Sequence, residues 1–382
     1  MNMTLNRAGT ADVIVVGSGI AGNSTAYFCA KKGLSVIVLD QDIIANGASC
    51  RNGGGVRASG RDAREIPLAK YAIDHIWPNL KEELGVDTEY IRSGNLRVAV
   101  GEANEAVLHR LAKTSRENGL EIQMLTGKEA MEMCSYVSDR VTMAAFCPTD
   151  GRANPMKVTL GLYKRARELG AKYYTGEEVV ELQKVKGRVR RVITARGNLY
   201  EADHVVVCAG YQTRAIANTV GVDMPFRQKL IEMFITEAAP RMFDFMMSST
   251  DGAFYGSQTQ HGSFAFGGDS GYEHHPVFRP EAMNLQVTAP AIARGVIEYF
   301  PMLAQMKIIR TWAGWIDLCQ DLVPVIGPTE QEAPGLFIAA GYSAHGFCLG
   351  PVTGKLMSEL IAGEEPCVDY TPLRYDRFHS VQ

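Results

Sequence analysis

The 382 residues have no strong excess of charge of one sign, no closely spaced pair of cysteines and no long apolar run. The 39 lysines and arginines are balanced by 42 acidic residues, and the formal net charge is only -3. This balance argues against binding to nucleic acid, which needs a basic surface. The densest basic stretch, KVKGRVRR at 184–191, alternates around a glycine and predicts a solvated β-hairpin.

The eight cysteines are scattered, and no two of them are spaced as Cys-x-x-Cys. We therefore expect no structural zinc, no iron–sulfur cluster and no other metal site held by this chain. No apolar stretch reaches the length of a membrane-spanning helix, and the first residues show no basic segment that leads into an apolar one. These absences predict a cytoplasmic protein without a membrane span.

What the chain does contain is a nucleotide-binding pattern close to its start. A buried strand predicted at 13–16 leads into GSGIAG at 17–22, and a helix follows. A second strand, predicted at 35–39, ends in an acidic residue. Strand, glycines, helix, strand and acid in this order predict a bound dinucleotide.

Each residue type in this unit is suited to binding a dinucleotide for a physical reason. Gly17 makes the tight turn, Gly19 lets backbone approach a pyrophosphate, and Gly22 lets the helix pack closely on the strand. The helix N-terminus offers free N–H groups to the phosphates. Asp40 lies where a carboxylate can bind the ribose hydroxyls.

Two later segments favour FAD over NAD. The segment 175–213 predicts a strand, a hairpin and a buried strand that ends at Ala209 and Gly210. The segment 335–363 predicts a strand, a glycine-rich loop and a helix from about Pro351 to Ile361. An NAD-dependent enzyme has no use for this second loop and helix, whereas a helix N-terminus can stabilise the negative charge of a reduced flavin.

Four motifs together give the chain a recognisable likeness. They are the GSGIAG unit with its acid, GASCRNGGGVR at 47–57, VVVCAG at 205–210 and GYSAHGFCLGPVTGKL at 341–356. With them the chain resembles the FAD-dependent D-amino-acid oxidase/glycine oxidase/sarcosine oxidase family. The stretch RNGGGVRASGRDAREIPLA is most similar to the β subunits of sarcosine oxidase and of dye-linked proline, hydroxyproline and opine dehydrogenases. The likeness runs from residue 11 to about 365.

The resemblance implies an α/β protein with two interleaved domains. A discontinuous, Rossmann-like FAD-binding domain would comprise 1–85, 150–222 and 325–382. An α+β substrate domain, built on a mostly antiparallel sheet, would comprise 86–149 and 223–324.

The residues expected to contact FAD lie in the motifs above and in the loop with three successive glycines. At Gly53, Gly54 and Gly55 the backbone could lie against the flavin ring, where any Cβ would intrude. The full set is Gly17, Gly19, Ile20, Ala21, Gly22, Asp40, Gln41, Ser49, Arg51, Asn52, Gly53, Gly54, Val179, Ala209, Gly210, Gly341, His345, Gly346 and Phe347. We expect non-covalent FAD because Gly314 stands where relatives carry a flavin-linking cysteine, although Cys319 is close enough to keep the question open.

The implied activity is oxidation of an amine or amino acid by hydride transfer to flavin N5, which gives an imine. Arg57 matches the arginine that binds the substrate carboxylate in sarcosine oxidases, and a structural ion pair is the alternative. Tyr255 matches an active-site tyrosine, or is a plain strand residue. His345 lies on a loop that touches the flavin, as a contact rather than a base. Arg310 is a weaker candidate for the carboxylate.

Two departures bear on the substrate and the electron acceptor. Cys348 replaces a second cationic carboxylate contact, and Ala265 replaces a lysine that promotes reaction with oxygen. We therefore favour a dehydrogenase β subunit that oxidises a secondary amine such as sarcosine, proline, hydroxyproline or an opine. Electrons would pass to partner subunits with iron–sulfur clusters or a second flavin. The alternatives are a stand-alone oxidase that makes hydrogen peroxide and a non-catalytic FAD-binding subunit.

Overall fold

The computed structural model describes residues 5–269 and 282–381. In these ranges the strands are β1 (Asn6–Val16), β2 (Val36–Asp40), β3 (Gly55–Val56), β4 (Asn95–Ala99), β5 (Gln123–Thr126), β6 (Met143–Cys147), β7 (Gly151–Arg152), β8 (Lys172–Thr175), β9 (Val179–Val185), β10 (Arg188–Thr194), β11 (Asn198–Val207), β12 (Phe226–Ala238), β13 (Met246–Ser249), β14 (Tyr255–Gln258), β15 (Ser263–Gly267), β16 (Ile308–Cys319), β17 (Val325–Pro328) and β18 (Leu336–Ala340). The α-helices are α1 (Ile20–Lys31), α2 (Ile66–Tyr71), α3 (Leu80–Leu84), α4 (Glu102–Glu117), α5 (Gly127–Met133), α6 (Pro155–Glu168), α7 (Thr213–Asn218), α8 (Thr288–Tyr299) and α9 (Gly346–Ala362).

The first sheet has the order β17-β18-β11-β1-β2-β8, and β18, β11, β1, β2 and β8 run parallel. The antiparallel hairpin β9–β10 extends it alongside β11. Val13 to Val16 are buried, as a parallel strand covered on both faces requires. Helices α1, α6 and α9 cover one face, and the hairpin with α7 packs on the other.

The second sheet has the order β16-β12-β15-β14-β13-β4-β6-β5. All its pairs are antiparallel except β13 with β4. Its core is rich in phenylalanine, and the rings of Phe264 and Phe266 stack with centroids 5.8 Å apart. The Met- and Phe-rich segment 242–256 contributes Phe243 to this core. The expected α/β fold class with a mostly antiparallel second sheet is therefore confirmed.

The strands of the first sheet fall within 1–85, 150–222 and 325–382, and those of the second fall within 86–149 and 223–324. This membership is compatible with the expected division, and the domain boundaries themselves stay a prediction. No helix in the described ranges has the length and apolar character needed to cross a membrane.

Two local expectations had different outcomes. The basic stretch is indeed a hairpin, turned by Lys186 and Gly187 with φ of 51° and 81°. The expected helix start at Pro351 is wrong, because α9 begins five residues earlier, at Gly346. Proline favours the first helical turn, but here the first turn is anchored without it: Trp77 Nε1 donates to the Cys348 carbonyl at 3.0 Å.

Candidate active site and cofactor cleft

A cleft of about 800 Å³ opens between the carboxyl ends of the first sheet and the inner face of the second. The turn from the end of β1 into α1 lines the bottom of this cleft. Gly17 has a φ of 101°, and a Cβ there would lie 2.6 Å from the Cys208 carbonyl oxygen. A Cβ at Gly19 would meet the Ser49 hydroxyl at 2.9 Å. Gly17 therefore excludes any side chain, and a side chain at Gly19 would displace the Ser49 hydroxyl, so backbone N–H groups line this end of the cleft.

The N-terminus of α1 is open towards this cleft. Its first turn holds no acidic residue and its N-cap, Gly19, makes no side-chain cap. The Ile20 N–H donates to Ser49 Oγ at 2.8 Å. Free N–H groups and the positive end of the helix dipole make this a site for a pyrophosphate.

The acidic residue at the end of β2 is held in place. Asp40 Oδ2 accepts from the backbone N–H and hydroxyl of Ser18 at 2.7 and 2.6 Å. The Gln212 amide donates to Gln41 Oε1 at 2.9 Å. Asp40, Gln41, Gln212 and Val179 all line the cleft, so one carboxylate and two side-chain amides are available to ribose hydroxyls.

A second helix N-terminus, that of α9, faces the same cleft through Gly346 and Phe347. Helix α9 lies directly on α1 because Gly350 and Gly354 have no Cβ. A Cβ at Gly350 would sit 2.6 Å from Ile20 Cγ2. Two helix N-termini that converge on one cleft fit a cofactor with anionic groups at both ends.

The loop with three glycines lies between these helix ends. A Cβ at Gly53 would touch Met233 and Tyr255, each at 3.3 Å. Gly54 has a φ of 76° and faces the Ala153 carbonyl instead of the cleft. Neighbouring side chains hold the loop in place: Arg51 Nη1 donates to the Ala313 carbonyl of β16 at 2.6 Å, and Asn52 Nδ2 donates to the Ser49 carbonyl at 2.7 Å.

The structure brings most of the expected residues together. Those that line the cleft are Gly17, Gly19, Ile20, Ala21, Asp40, Gln41, Ser49, Arg51, Asn52, Gly53, Arg57, Val179, Ala209, Gly210, Tyr255, Gly346 and Phe347. Gly22, Gly54, Gly341 and His345 lie behind this lining and shape it.

The described residues of the cleft provide the contacts that FAD needs. Beyond the glycine cradle and the two helix ends, Trp315 lines the cleft with a buried indole N–H that has no partner among the described residues. A buried donor without a partner is costly and indicates a ligand atom that accepts from it.

At the other end of the cleft lies Arg57. Its Nη1 donates to the Ser59 carbonyl at 2.7 Å. Burial, and then the neighbouring Arg61 and Arg97, lower its pKa to about 9. No described carboxylate pairs with it directly, so the structural ion pair is not what holds it.

Tyr255 contributes from the second sheet. Burial raises the pKa of its hydroxyl, which keeps it neutral across the physiological range. Its ring lies over Gly267, where a Cβ would come within 2.6 Å of the tyrosine oxygen. The hydroxyl is therefore a hydrogen-bond donor in the cleft and no base.

His345 is part of a buried relay behind the cleft, by which we mean the chain of hydrogen bonds from His345 through Glu65 and Arg61 to Arg57. Its Nδ1 lies 2.9 Å from Glu65, which also pairs with Arg61 Nη1 at 3.0 Å. Arg61 Nε in turn donates to the Arg57 carbonyl at 2.7 Å. Burial, and then Arg61, lower the pKa of His345 to about 4, so its ring is neutral and donates Nδ1–H to Glu65.

Sequence reasoning missed two side chains of the cleft. Arg97 projects from β4, and its Nε donates to Ser248 Oγ at 3.2 Å. Asp317, on β16, accepts from the Gly341 N–H at 2.5 Å, and burial raises its pKa to about 6. The alternation NLRVA gave a signal for Arg97, because Leu96 and Val98 are buried on the opposite face.

The weaker candidates lie elsewhere. The Arg310 guanidinium lies 6.0 Å from the Trp312 ring on an exposed part of β16, outside the cleft lining. Ala265 pairs with Ser257 two residues beyond the Tyr255–Gly267 pair, so it shares the face of Tyr255. The Cys319 thiol donates to Asp321 at 3.0 Å, and neither Cys319 nor Cys348 lines the cleft.

Comparison with known proteins agrees with this geometry. The family model "DAO: FAD dependent oxidoreductase" matches residues 12–360. Sarcosine oxidase subunit beta of Arthrobacter sp is 25% identical, over 97% of this chain and 91% of that protein. Glycine oxidase of Geobacillus kaustophilus is also 25% identical, over 96% of this chain and 97% of that protein.

Among solved structures, L-proline dehydrogenase from P. horikoshii superposes with a TM-score of 0.89 at 26% identity. It covers 97% of this chain and 98% of that one. The match over most of the chain, the glycine cradle and the paired helix ends lead to one conclusion: the chain belongs to the DAO family of FAD-dependent oxidoreductases, and its cofactor is FAD.

Proposed function

We propose that this protein oxidises the CH–NH group of an amino acid, with a secondary amine as the favoured substrate. The observation that carries the proposal is Arg57: a guanidinium without an ionic partner of its own among the described residues, placed in the cofactor cleft. A guanidinium fork binds a carboxylate through two parallel hydrogen bonds. Relatives named as sarcosine oxidase subunit, glycine oxidase and proline dehydrogenase support an amino-acid substrate.

Bound FAD supplies a hydride acceptor for the carbon next to the amine nitrogen. The contribution of this chain is to place that carbon. Arg57 would hold the carboxylate, while Tyr255 donates a hydrogen bond from the second sheet. Met246, Met247 and Ile231 add apolar walls that exclude water from the reacting centre.

Neither Tyr255 nor His345 is suited to remove a proton from the substrate. The Tyr255 hydroxyl stays protonated, and His345 lies behind the lining with its Nδ1–H used by Glu65. A substrate that arrives with a neutral nitrogen needs no such base. The residues therefore bind and orient the amine and leave its protonation to solution.

Electrons then leave by one of two routes, and we propose a protein partner as the acceptor. The lining described here contains no lysine, and Ala265 adds no cation on the face of Tyr255. Without a lysine the step that forms superoxide lacks the stabilisation that such a side chain would give. The likeness to a β subunit of sarcosine oxidase supports a complex in which a further subunit accepts the electrons. An oxidase that makes peroxide is the second candidate, since Arg57 and Arg97 also bring positive charge to the cleft.

The test is a product assay with the purified yellow protein. Sarcosine, proline, hydroxyproline, an opine and primary amino acids are incubated under argon with an artificial dye. The proposal expects dye reduction with a stoichiometric carbonyl product, formed by hydrolysis of the imine. Activity only in air, with peroxide, would favour the oxidase. No turnover by any amine despite bound FAD would contradict amine oxidation.

A further inference from the structure

Two guanidinium groups, not one, occupy the substrate end of the cleft. Arg57 comes from the loop after β3, and Arg97 comes from β4 of the second sheet. Their recorded hydrogen bonds are to neutral oxygens: Ser59 and Gly60 carbonyls for Arg57, and the Ser248 hydroxyl for Arg97. Among the described residues, neither has a carboxylate at ion-pair distance.

The two groups meet at Gly60. Arg57 Nη1 lies 3.5 Å from the Gly60 carbonyl oxygen. A Cβ at Gly60 would fall 2.7 Å from Arg97 Nη1, and its positive φ of 66° makes any side chain there strained as well. Like charges so close repel, and Arg97 is one reason, after burial and Arg61, for the lowered pKa of Arg57.

The nearby acids are occupied by other donors. Asp150 accepts from the Ala58 N–H at 2.7 Å and from the Ser59 hydroxyl at 2.5 Å. Glu65 is used by Arg61 and His345. Asp150 attracts both cleft arginines over a longer distance, but it forms no ion pair with either.

Among the described residues, this leaves both guanidinium groups without a carboxylate at ion-pair distance. One carboxylate satisfies one guanidinium fork through two parallel bonds, so a second fork calls for a second anionic group. An unpaired guanidinium out of bulk water is costly to keep unless a ligand compensates it. Within the described ranges, Arg97 donates through Nε to Ser248, and its terminal N–H groups are available to that ligand.

We propose that the substrate is an amine with two carboxylates: Arg57 binds the one next to the reacting carbon, and Arg97 binds the second. This inference rests on the proposed function and narrows it to dicarboxylic amines. Arg97 thus determines specificity, because a substrate with an uncharged group at this position would leave the Arg97 guanidinium without an ionic partner in the complex.

The test compares each diacid with the analogue in which isopropyl replaces one carboxylate at nearly constant shape. The pairs are iminodiacetate with N-isobutylglycine, N-methylaspartate with N-methylleucine, and N-methylglutamate with N-methylhomoleucine. Anaerobic reduction of the bound FAD is followed by absorbance, and kcat/KM is measured with a dye. For at least one pair the diacid should be favoured by about 100-fold.

Three variants assign that preference to one residue. Arg97→Met should bring the diacid-to-isostere ratio close to one, and Arg97→Lys should restore part of it. Arg57→Met should lower kcat/KM for both members of each pair and keep the ratio. Arg92→Met, which removes an exposed arginine paired with Asp74 outside the cleft, is the matched control. FAD content of each variant reports whether it has folded.

The outcomes separate this inference from the proposed function. If isosteres reduce the FAD as well as the diacids in every pair, Arg97 does not bind a second carboxylate, although amine oxidation stands. If Arg97→Met lowers both members of a pair by the same factor, the two arginines share one carboxylate and the inference is wrong. If no amine reduces the FAD, both are overturned.

Discussion

At the scale of single residues, Arg57 is the group on which the proposed function depends most directly. Its pKa of about 9 means that the cation is present below pH 9 and is lost as the pH rises through that value. A carboxylate ligand without an amine, such as butyrate, isolates this titration from that of the substrate nitrogen. We expect the Kd of butyrate, read from its perturbation of the FAD spectrum, to rise steeply above about pH 9. A Kd that stays flat to pH 10.5 would contradict the loss of a cation at the carboxylate site in this range.

Ala265 offers a second test at this scale. Its register on β15 places it on the face of Tyr255, so a long cationic side chain there would reach the cleft. We expect Ala265→Lys to raise the rate of reoxidation by oxygen about tenfold or more, since a positive charge stabilises developing superoxide. Ser263→Lys, on the same strand and face but two residues further from Tyr255, is the control. Equal reoxidation rates for Ala265→Lys and the wild type would contradict the idea that a missing positive charge slows the reaction with oxygen.

Single residues also decide whether FAD is bound covalently or non-covalently. Gly314 packs against Arg51, with a Cβ position 3.2 Å from Arg51 Cδ, and the Cys319 thiol is directed to Asp321. We expect acid precipitation to release all the FAD into the supernatant. Yellow colour that stays in the protein pellet, and is lost in Cys319→Ser, would contradict non-covalent binding.

At the scale of elements, the buried relay joins the start of α9 to the loop that carries Arg57. Removal of one charge from a buried pair leaves the other uncompensated, at a cost of about 3 kcal/mol or more. Glu65→Gln should therefore lower the Tm by several degrees and weaken FAD binding together. The matched control is Glu117→Gln, which breaks the exposed pair with Lys113 on α4. Equal effects of the two substitutions would show that the relay is not a structural link.

Elements also show where sequence reasoning succeeds. The GSGIAG turn was predictable because most of its steric demands are local: Gly22 packs against Gly17 within the same β1–α1 unit, and Gly17 packs against the end of the adjacent β11. The start of α9 was not, because Phe347 and Cys348 are anchored by Trp77, about 270 residues away in the chain. Arg97 was missed for a similar reason. Its neighbours Gly60 and Ser248 come from distant segments, so only the folded chain shows that two arginines share one cleft.

At the scale of the whole molecule, one sheet supplies the cofactor cradle and the other closes the cleft over it. The cradle uses β1, β11 and two helix ends, whereas Tyr255 and Arg97 come from the second sheet. Arg57 lies in the segment that links them. This arrangement would let the cofactor site stay the same while the substrate changes, because the specificity roles that we propose for Tyr255 and Arg97 lie on the sheet that does not hold the dinucleotide.

The central claim is that Arg57 holds an amino acid's carboxylate beside the FAD, and anaerobic reduction of wild type and Arg57→Met by one amino acid tests it most directly. Bleaching of the visible absorbance is recorded against substrate concentration. We predict complete bleaching of the wild type, and a half-saturating concentration about 100-fold higher for the variant, with FAD content unchanged. Half-saturation at the same concentration in both proteins would contradict the account.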